Sequence, residues 1–185
     1  HESYFFRTPK YLTVSAQLHL EALAQSVGKV WTLSPAFRAE KSDTPRHLSE
    51  FYMLEAEMSF VEALDPVMDL VEDMLRHISS KLQNSTIGQE LLRVRSEPST
   101  GEMENILSSD MLLQRWQSLA QGFWPRITYA DAVVRLQRAS SQGTTFEFTP
   151  TLEAGLQAEH EKFLADTVGK GGPVFVTDYP RSLKP

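Results

Sequence analysis

The chain of 185 residues contains no cysteine. Disulfide bonds and thiolate metal sites are therefore excluded, and the composition fits a reducing compartment without identifying one. No apolar run approaches the roughly 20 residues of a membrane-spanning helix, so we expect no membrane partner. Positive charge is also scarce: the chain contains 18 Lys and Arg but 24 Asp and Glu, which gives a net charge of −6. The chain is thus not a general binder of polyanions, and any contact with nucleic acid must be local.

The rest of the composition is that of an ordinary globular domain, with 41% hydrophobic and 23% charged residues. A chain of this length can bury a single core. It begins at His1 rather than at methionine, and no signal or transit peptide is visible. We therefore expect a piece of a longer protein.

The central feature is a predicted hairpin. Residues 30–40 and 50–60 are two strand-like runs, and the polar loop 41–49 joins them. Side chains alternate between the two faces of a strand, so Arg38 and Glu40 share one face. The second strand places on one face Phe51, Met53, Glu55, Glu57 and Ser59. Its opposite face is apolar and is expected to be core: Tyr52, Leu54, Ala56, Met58 and Phe60.

The charges on the hairpin allow two interpretations. A solvated strand face often carries charged residues, so this face could simply be exposed to solvent. The loop favours a binding site instead, because Lys41, Arg46 and His47 add donors that suit phosphate oxygens. Phe51 could stack on a nucleobase, and Glu40 could accept a hydrogen bond from an exocyclic amine.

The same residues carry a resemblance to a known family. Residues 37–40 (Phe-Arg-Ala-Glu), followed by residues 46–57, are similar to motif 2 of class II aminoacyl-tRNA synthetases, in their aspartyl/asparaginyl branch. The resemblance implies an α+β fold with an antiparallel β-sheet flanked by helices, of which residues 1–185 form the central, incomplete part. It places the motif 2 hairpin at about 28–60 and a variable helical insertion at about 83–126. Motif 1 and the anticodon-binding domain would lie upstream, and motif 3 downstream.

The resemblance also implies an ATP site. It assigns Arg38 to catalysis, where its guanidinium would bridge the substrate carboxylate and the α-phosphate of ATP. The further ATP contacts that it assigns are Glu40 and Phe51 for adenine, and Arg46 and His47 for the β- and γ-phosphates. Glu57 is the candidate ligand for Mg²⁺, which would bridge phosphate oxygens.

Residues 15–21 (Ser-Ala-Gln-Leu-His-Leu-Glu) indicate which amino acid is bound. Ser15 is placed to cap a helix that Gly28 ends. In aspartyl-tRNA synthetases the similar segment reads Ser-x-Gln-Leu-Tyr-Lys-Gln, and its Gln and Lys hold the substrate aspartate. Here Leu20 stands in place of the Lys, and Glu21 in place of the last Gln.

An asparagine substrate explains both replacements. An aspartate side chain needs a nearby cation, because a buried unpaired charge is costly. An asparagine side chain needs an acceptor for its NH₂ group, which Glu21 provides, and a carboxylate at this place repels aspartate. The resemblance therefore favours the asparaginyl-tRNA synthetases, with the amino acid held by Ser15, Gln17, Glu21 and Glu55.

The sequence outside the hairpin predicts further helices and strands but no further clear functional site. Helices are predicted from Asp65, over 88–95, over 102–121 and, after a Thr128 cap, over 130–140, and a buried strand over 174–177. In a further helix, Glu159 and Glu161 are candidates for the edge of the site. His160 lies between them, but adjacent helical residues point to different faces and make poor metal co-ligands.

The predicted function is that of an asparagine–tRNA ligase, which uses ATP and Mg²⁺ to convert asparagine to asparaginyl-adenylate and then charges tRNA(Asn). A homodimer is implied for the full-length protein, whereas residues 1–185 alone are expected to be inactive because motif 3 is missing. Three alternatives stay open: an aspartyl-tRNA synthetase, a tRNA-independent asparagine synthetase, and a non-catalytic nucleotide-binding paralogue. The motifs resemble the bacterial and organellar branch, which favours the mitochondrial matrix over the cytoplasm.

Overall fold

The computed structural model describes residues 6–39, 41, 48–96, 107–120 and 122–183. The chain divides into two compact units, His1–Val67 and Met68–Pro185, called here the first and the second unit. The described elements in chain order are α1 (Gln17–Val27), β1 (Lys29–Phe37), β2 (Glu50–Met58), α2 (Asp65–Gln83), α3 (Thr86–Ser96), α4 (Ser109–Ala120), β3 (Arg126–Thr128), α5 (Tyr129–Ser141), α6 (Ala158–Thr167) and β4 (Phe175–Thr177). Within the described ranges, every helix is too short or too polar to cross a lipid bilayer.

The first unit is built on the predicted hairpin, which is confirmed. β1 and β2 pair antiparallel, in a register that places Lys29 opposite Met58 and Phe37 opposite Glu50. The β-branched residues of β1 and the aromatic residues of both strands suit a pleated surface. The hairpin therefore presents two faces with alternating side chains, as the sequence pattern requires.

Helix α1 covers one face of the hairpin. It contacts both β1 and β2, and its buried residues are Leu20 and Ala24. The Ser59 hydroxyl donates to the Ala24 carbonyl at 3.0 Å. Because Ser59 shares a strand face with Glu55 and Glu57, α1 lies on the face that carries the charged residues.

The position of α1 corrects one prediction. The apolar hairpin face was expected to be core, yet Tyr52 is 74% exposed and Trp31 is 71% exposed. On the other face Phe51, Met53 and Glu55 are half-buried. Alternation identifies the two faces of a strand, but the placement of a helix decides which one is covered. Within the described residues, only the charged face has such a cover.

The two ends of α1 agree closely with the sequence prediction. Gly28 ends the helix with a φ of 89°, and its amide donates to the Ala24 carbonyl at 2.8 Å. The helix begins at Gln17, with Ala16 rather than Ser15 at the N-cap. The Ser15 hydroxyl still accepts the Gln17 amide at 3.0 Å, so it caps the helix from one position further out.

The second unit has a compact core. Its strands β3 and β4 form a parallel pair, with Arg126 opposite Phe175. Helices α5 and α6 pack on each other, and α5 also contacts both strands. Ala132 and Leu136 of α5 and Leu164 of α6 are fully buried there. This cluster supplies the apolar burial that stabilises the unit.

Most predicted elements beyond the hairpin are confirmed, with shifted bounds. Thr128 caps α5 by accepting the Asp131 amide at 3.1 Å, and α2 begins at Asp65. In the predicted helical insertion, α3 begins earlier than expected, at Thr86, and α4 spans Ser109–Ala120. Residues 102–106 and 121 of the predicted helix lie outside the described part of the chain. The incomplete α+β class with a helix-flanked antiparallel sheet is confirmed. The sequence did not predict that β3 and β4 pair in parallel, because no local pattern fixes the partner of a short strand.

A buried carboxylate ties α2 to the segment before β3. Glu72 is only 3% exposed, and its Oε1 accepts the Trp124 amide at 3.3 Å and the Arg76 guanidinium at 3.4 Å. Arg126 forms an ion pair with Asp69, which lies one turn before Glu72 on α2. A carboxylate at this depth needs such partners, because an uncompensated buried charge is strongly destabilising.

Candidate active site

Arg38 and Phe51 lie together at the loop end of the hairpin. The Arg38 Cζ atom is 5.3 Å from the centroid of the Phe51 ring, a distance at which cation and ring attract each other. The Arg38 amide donates to the Ser49 carbonyl at 3.0 Å, which fixes the backbone, while the side chain is exposed. This end of the hairpin therefore offers a guanidinium fork for anions beside a flat aromatic surface.

Glu55 joins β2 to the start of α1. Its Oε1 accepts a hydrogen bond from the Ser15 hydroxyl, and its Oε2 accepts one from the Ala16 amide at 2.8 Å. These two hydrogen bonds lower the pKa of Glu55, with the Arg38 charge as a smaller contribution in the same direction, whereas partial burial opposes them. The carboxylate is therefore ionised near neutral pH.

The amino-acid-selecting residues predicted from the sequence lie on the first turns of α1. The Gln17 side-chain amide donates to Glu21 Oε1 at 2.9 Å, and both side chains are exposed. Leu20 between them is 5% exposed and packs toward the hairpin. The first turns of α1 thus present the Glu21 carboxylate and the Gln17 carboxamide, joined by their own hydrogen bond.

Glu57 is the candidate metal ligand. It is half-buried on the charged face and lies opposite Val30 in the hairpin register. In the part of the chain that the structure describes, no three potential metal ligands gather around it or elsewhere. A single carboxylate suits Mg²⁺, which usually takes one or two protein carboxylates and completes its shell with phosphate oxygens and water.

The structure brings together most of the predicted site residues that it describes. Ser15, Gln17, Glu21 and Glu55 meet at the start of α1, and Arg38 contacts Phe51 and acts electrostatically on Glu55. The remaining ATP-binding candidates Glu40, Arg46 and His47 lie outside the described residues. Their contacts stay predictions from the sequence.

Glu159 has a structural role that the sequence did not indicate. Its carboxylate accepts the Glu147 amide at 3.0 Å and the Phe148 amide at 2.8 Å. The Phe148 and Glu147 hydrogen bonds, in that order, lower its pKa, while burial acts against them. These two hydrogen bonds, rather than a strand ladder, hold the segment of Glu147 and Phe148 beside α6.

His160 is fully buried and its two ring nitrogens are both engaged. Its Nδ1 accepts the Gln157 amide at 3.1 Å, and Nε2 lies 2.9 Å from the Phe148 carbonyl. Because Nδ1 is the acceptor, Nε2 carries the proton and donates to the carbonyl. Neither nitrogen is available to a metal ion, so this histidine is a packing residue of the second unit.

A cavity of about 320 Å³ in the second unit was missed by sequence reasoning. Glu161 and Tyr179 supply its polar groups, and its other walls are Leu156, Leu164, Ala165, Val174 and Val176. Burial raises the pKa of Tyr179, and electrostatic interactions with Glu161 and Tyr129 add to the effect. The ring centroids of Tyr129 and Tyr179 lie 4.7 Å apart. The sequence signal that could have indicated the cavity is the three-residue spacing of Glu161 and Leu164, which places both on one face of the helix.

Comparison with known proteins finds matches along the whole chain. A family model for class II tRNA synthetases (D, K and N) matches residues 1–185. The mitochondrial asparagine–tRNA ligase of Saccharomyces cerevisiae is 44% identical over 99% of this chain and 38% of its own length. The mitochondrial enzyme of Schizosaccharomyces pombe is 39% identical over 100% of this chain and 35% of its own length.

A solved structure shows the same fold. The asparaginyl-tRNA synthetase of Pyrococcus horikoshii, in complex with asparaginyl-adenylate, superimposes with a TM-score of 0.70 at 30% identity. The match covers 98% of this chain and 35% of the Pyrococcus chain. The present chain thus spans little more than a third of the proteins that it matches. With a family model that covers all of its residues, the chain belongs to the class II tRNA synthetases of the D, K and N group.

Proposed function

We propose that the full-length protein is an asparagine–tRNA ligase, which forms asparaginyl-adenylate from asparagine and ATP and then charges tRNA(Asn). The observation that carries the proposal is the arrangement on α1, where Gln17 donates to Glu21 and Leu20 is buried. Residues 15–21 offer oxygen acceptors and contain no lysine or arginine. The names of the matched yeast and Pyrococcus proteins support the same substrate.

Glu21 selects the carboxamide. A carboxylate offers about four lone-pair sites, and the hydrogen bond from Gln17 occupies one of them. A second can accept from the NH₂ group of asparagine. Aspartate would bring a negative charge against Glu21 with no lysine at position 20 to neutralise it, so it is rejected by repulsion as well as by a missing hydrogen bond.

Arg38 assists the first chemical step. An oxygen of the asparagine carboxylate attacks the α-phosphorus of ATP, a new P–O bond forms, and the bond to the bridging oxygen of the β-phosphate breaks to release pyrophosphate. Both reactants are anions that repel each other. A guanidinium between them aligns the reactants and stabilises the charge that develops in the transition state. Phe51, which now contacts Arg38, provides the surface on which adenine stacks.

The remaining assignments complete the ATP site. Glu40 binds the adenine amine, and Arg46 and His47 bind the β- and γ-phosphates. Glu57 helps to hold Mg²⁺, which neutralises phosphate charge when it is bound. Glu57 suits Mg²⁺ because its carboxylate offers an oxygen ligand on the same face of the hairpin as Arg38.

Assembly and location belong to the same proposal. The full-length protein is a homodimer, as the family resemblance implies, and acts in the mitochondrial matrix. The two matched fungal proteins named as mitochondrial support this location.

The product formed by the full-length protein tests the proposal. Purified protein is incubated with ATP and labelled asparagine, with and without tRNA(Asn). We expect label in acid-precipitable tRNA only when all components are present. A parallel reaction contains labelled aspartate, ammonia and ATP without tRNA.

Two results would contradict the proposal. Free labelled asparagine in the parallel reaction, without charging of tRNA, would identify a tRNA-independent asparagine synthetase. Absence of both products from a protein that binds ATP would identify a non-catalytic paralogue.

A further inference from the structure

The cavity of the second unit carries one charge in its wall. It lies where α6 meets β4 and has a volume of about 320 Å³. Of the described residues that line it, Glu161 alone is charged, and Tyr179 supplies a hydroxyl. The other lining residues are aliphatic: Leu156, Leu164, Ala165, Val174 and Val176. None of these residues belongs to the set proposed for ATP and asparagine, so the cavity has no assigned ligand.

The Glu161 carboxylate differs from that of its neighbour on α6. Glu159 accepts the amides of Glu147 and Phe148. By contrast, no donor in the described part of the chain forms a hydrogen bond or an ion pair with the side chain of Glu161. This carboxylate is exposed at the cavity. Its charge is therefore available to a cationic ligand.

Tyr179 places a hydroxyl close to this carboxylate. β4 ends at Thr177, and Asp178 follows in the left-handed region with a φ of 57°, which Asp adopts more readily than most residues. After this turn the Tyr179 ring packs on Tyr129, with 4.7 Å between the ring centroids. Burial raises the pKa of Tyr179, and the Glu161 charge adds to the effect. The hydroxyl is therefore neutral near neutral pH and can accept a hydrogen bond as well as donate one.

We propose that this cavity binds a small primary alkylamine in its ammonium form. The ammonium group lies between the Glu161 carboxylate and the Tyr179 hydroxyl, and the hydrocarbon chain packs on the aliphatic walls. An ammonium group has three donors and no acceptor, which suits two oxygen groups. The transfer of the hydrocarbon chain from water to an apolar wall is favourable. A volume of about 320 Å³ lies at the small end of ligand sites, which limits the ligand to a short chain.

The same chemistry excludes two other classes of ligand. A carboxylic acid of equal length would bring a negative charge against Glu161. A free amino acid carries its carboxylate next to its ammonium group, so it would meet the same repulsion. The proposed site therefore goes beyond the ligation of asparagine to tRNA, and it does not depend on which amino acid the protein activates.

Three probes of matched length test the requirement for a positive charge. n-Hexylamine, 1-hexanol and hexanoate are titrated into the full-length protein at neutral pH, and binding is measured by isothermal titration calorimetry. Hexylamine should bind at least about tenfold more tightly than hexanol, because a hydrogen bond between charged groups replaces a weaker one. Hexanoate should not bind. Equal affinities for hexylamine and hexanol, or no binding of hexylamine, would overturn the proposal.

Methyl resonances locate the bound amine. In spectra of the full-length protein labelled at its Leu and Val methyl groups, hexylamine should shift the signals of Leu164 and Val176, which line the cavity. The signals of Leu33, on the hairpin, should stay in place. Shifts confined to methyl groups outside the cavity wall would contradict the proposal.

Substitutions of the two polar groups test their roles one at a time. Glu161→Gln should lower the affinity for hexylamine about tenfold and leave the affinity for hexanol unchanged. Tyr179→Phe keeps the ring and should lower the affinity for hexylamine about fivefold. Asp166→Asn is the matched control, because Asp166 is an exposed carboxylate of α6 outside the cavity wall. An equal loss in Asp166→Asn and Glu161→Gln would reduce the effect to a general attraction by negative charge and would overturn the proposal.

A variant that fills the cavity keeps the proposal testable if Glu161→Gln does not fold. Ala165→Met extends a side chain from the cavity wall and should abolish the binding of hexylamine and of hexanol. Undiminished binding by this variant would show that the amine binds elsewhere. None of these measurements uses ATP or tRNA, so the proposed amine site and the proposed ligase activity fail separately.

Discussion

Glu55 in the first unit and Glu159 in the second each accept two hydrogen bonds that tie separate stretches of chain together. In both cases these hydrogen bonds lower the pKa of the carboxyl group. The surroundings differ. Beside Glu55 the Gln17 and Glu21 side chains are exposed, whereas beside Glu159 the ring of His160 is fully buried and satisfied. The same carboxylate chemistry therefore supports an exposed polar surface in one unit and a packed interior in the other.

The apolar residues show a related difference. Leu136 of the second unit is fully buried, whereas Leu33 of the hairpin is 58% exposed. The hairpin thus buries less of its apolar surface, and the first unit depends more on specific polar contacts such as those of Glu55. The second unit depends more on apolar burial, and the predictions below test this division.

Replacing the guanidinium at the hairpin tip should have the largest effect. In the full-length protein, Arg38→Ala should lower adenylate formation about a hundredfold or more, because one preorganised charge opposite the α-phosphate is lost. Asparagine-dependent ATP–pyrophosphate exchange measures it. Arg135→Ala, which changes an exposed arginine of α5, is the control and should leave exchange unchanged. Near-normal exchange by Arg38→Ala would remove Arg38 from the reaction.

Shortening a leucine should affect the two units unequally. Leu136→Ala should lower the free energy of unfolding by about 2–5 kcal/mol, because it leaves a cavity in the core of the second unit. Leu33→Ala should change it by about 0.5 kcal/mol or less in the 185-residue chain, because that side chain is already largely in water. Urea denaturation followed by circular dichroism measures both. Equal losses would contradict the division between the units.

Glu159→Gln should have a small, pH-dependent effect on stability. The folded-state pKa of Glu159 is lowered from the ordinary 4.5, so its contribution is present above that value and is lost as the pH falls through the folded-state pKa. The difference in Tm between wild type and Glu159→Gln should therefore be constant near neutral pH and shrink as the pH falls below about 4.5. A difference that is constant with pH would show that the clamp does not depend on the charge of Glu159. Selectivity between asparagine and aspartate should stay unchanged.

Much of the first unit could be predicted from the sequence because its signals are local. Alternation gave the hairpin and its two faces, and Gly28 marked the end of α1. The four-residue step from Gln17 to Glu21 placed both on one helix face, consistent with their hydrogen bond. The family resemblance, rather than any periodicity, connected these residues with ATP and asparagine.

The remaining features depend on contacts that are distant in sequence. No local pattern joins Ser15 to Glu55, and none tells which hairpin face α1 covers. In the second unit the charged run 159–161 suggested a site edge, but the backbone amides of Glu147 and Phe148 decide the role of Glu159. The cavity beside Tyr179 likewise forms only when α6 and β4 meet.

The amino-acid dependence of ATP–pyrophosphate exchange by the full-length protein tests the central claim most directly. Asparagine should support exchange, and aspartate at the same concentration should support little, because Glu21 accepts from a carboxamide and repels a carboxylate. Exchange that depends on aspartate instead of asparagine would contradict the account and assign the protein to the aspartyl branch.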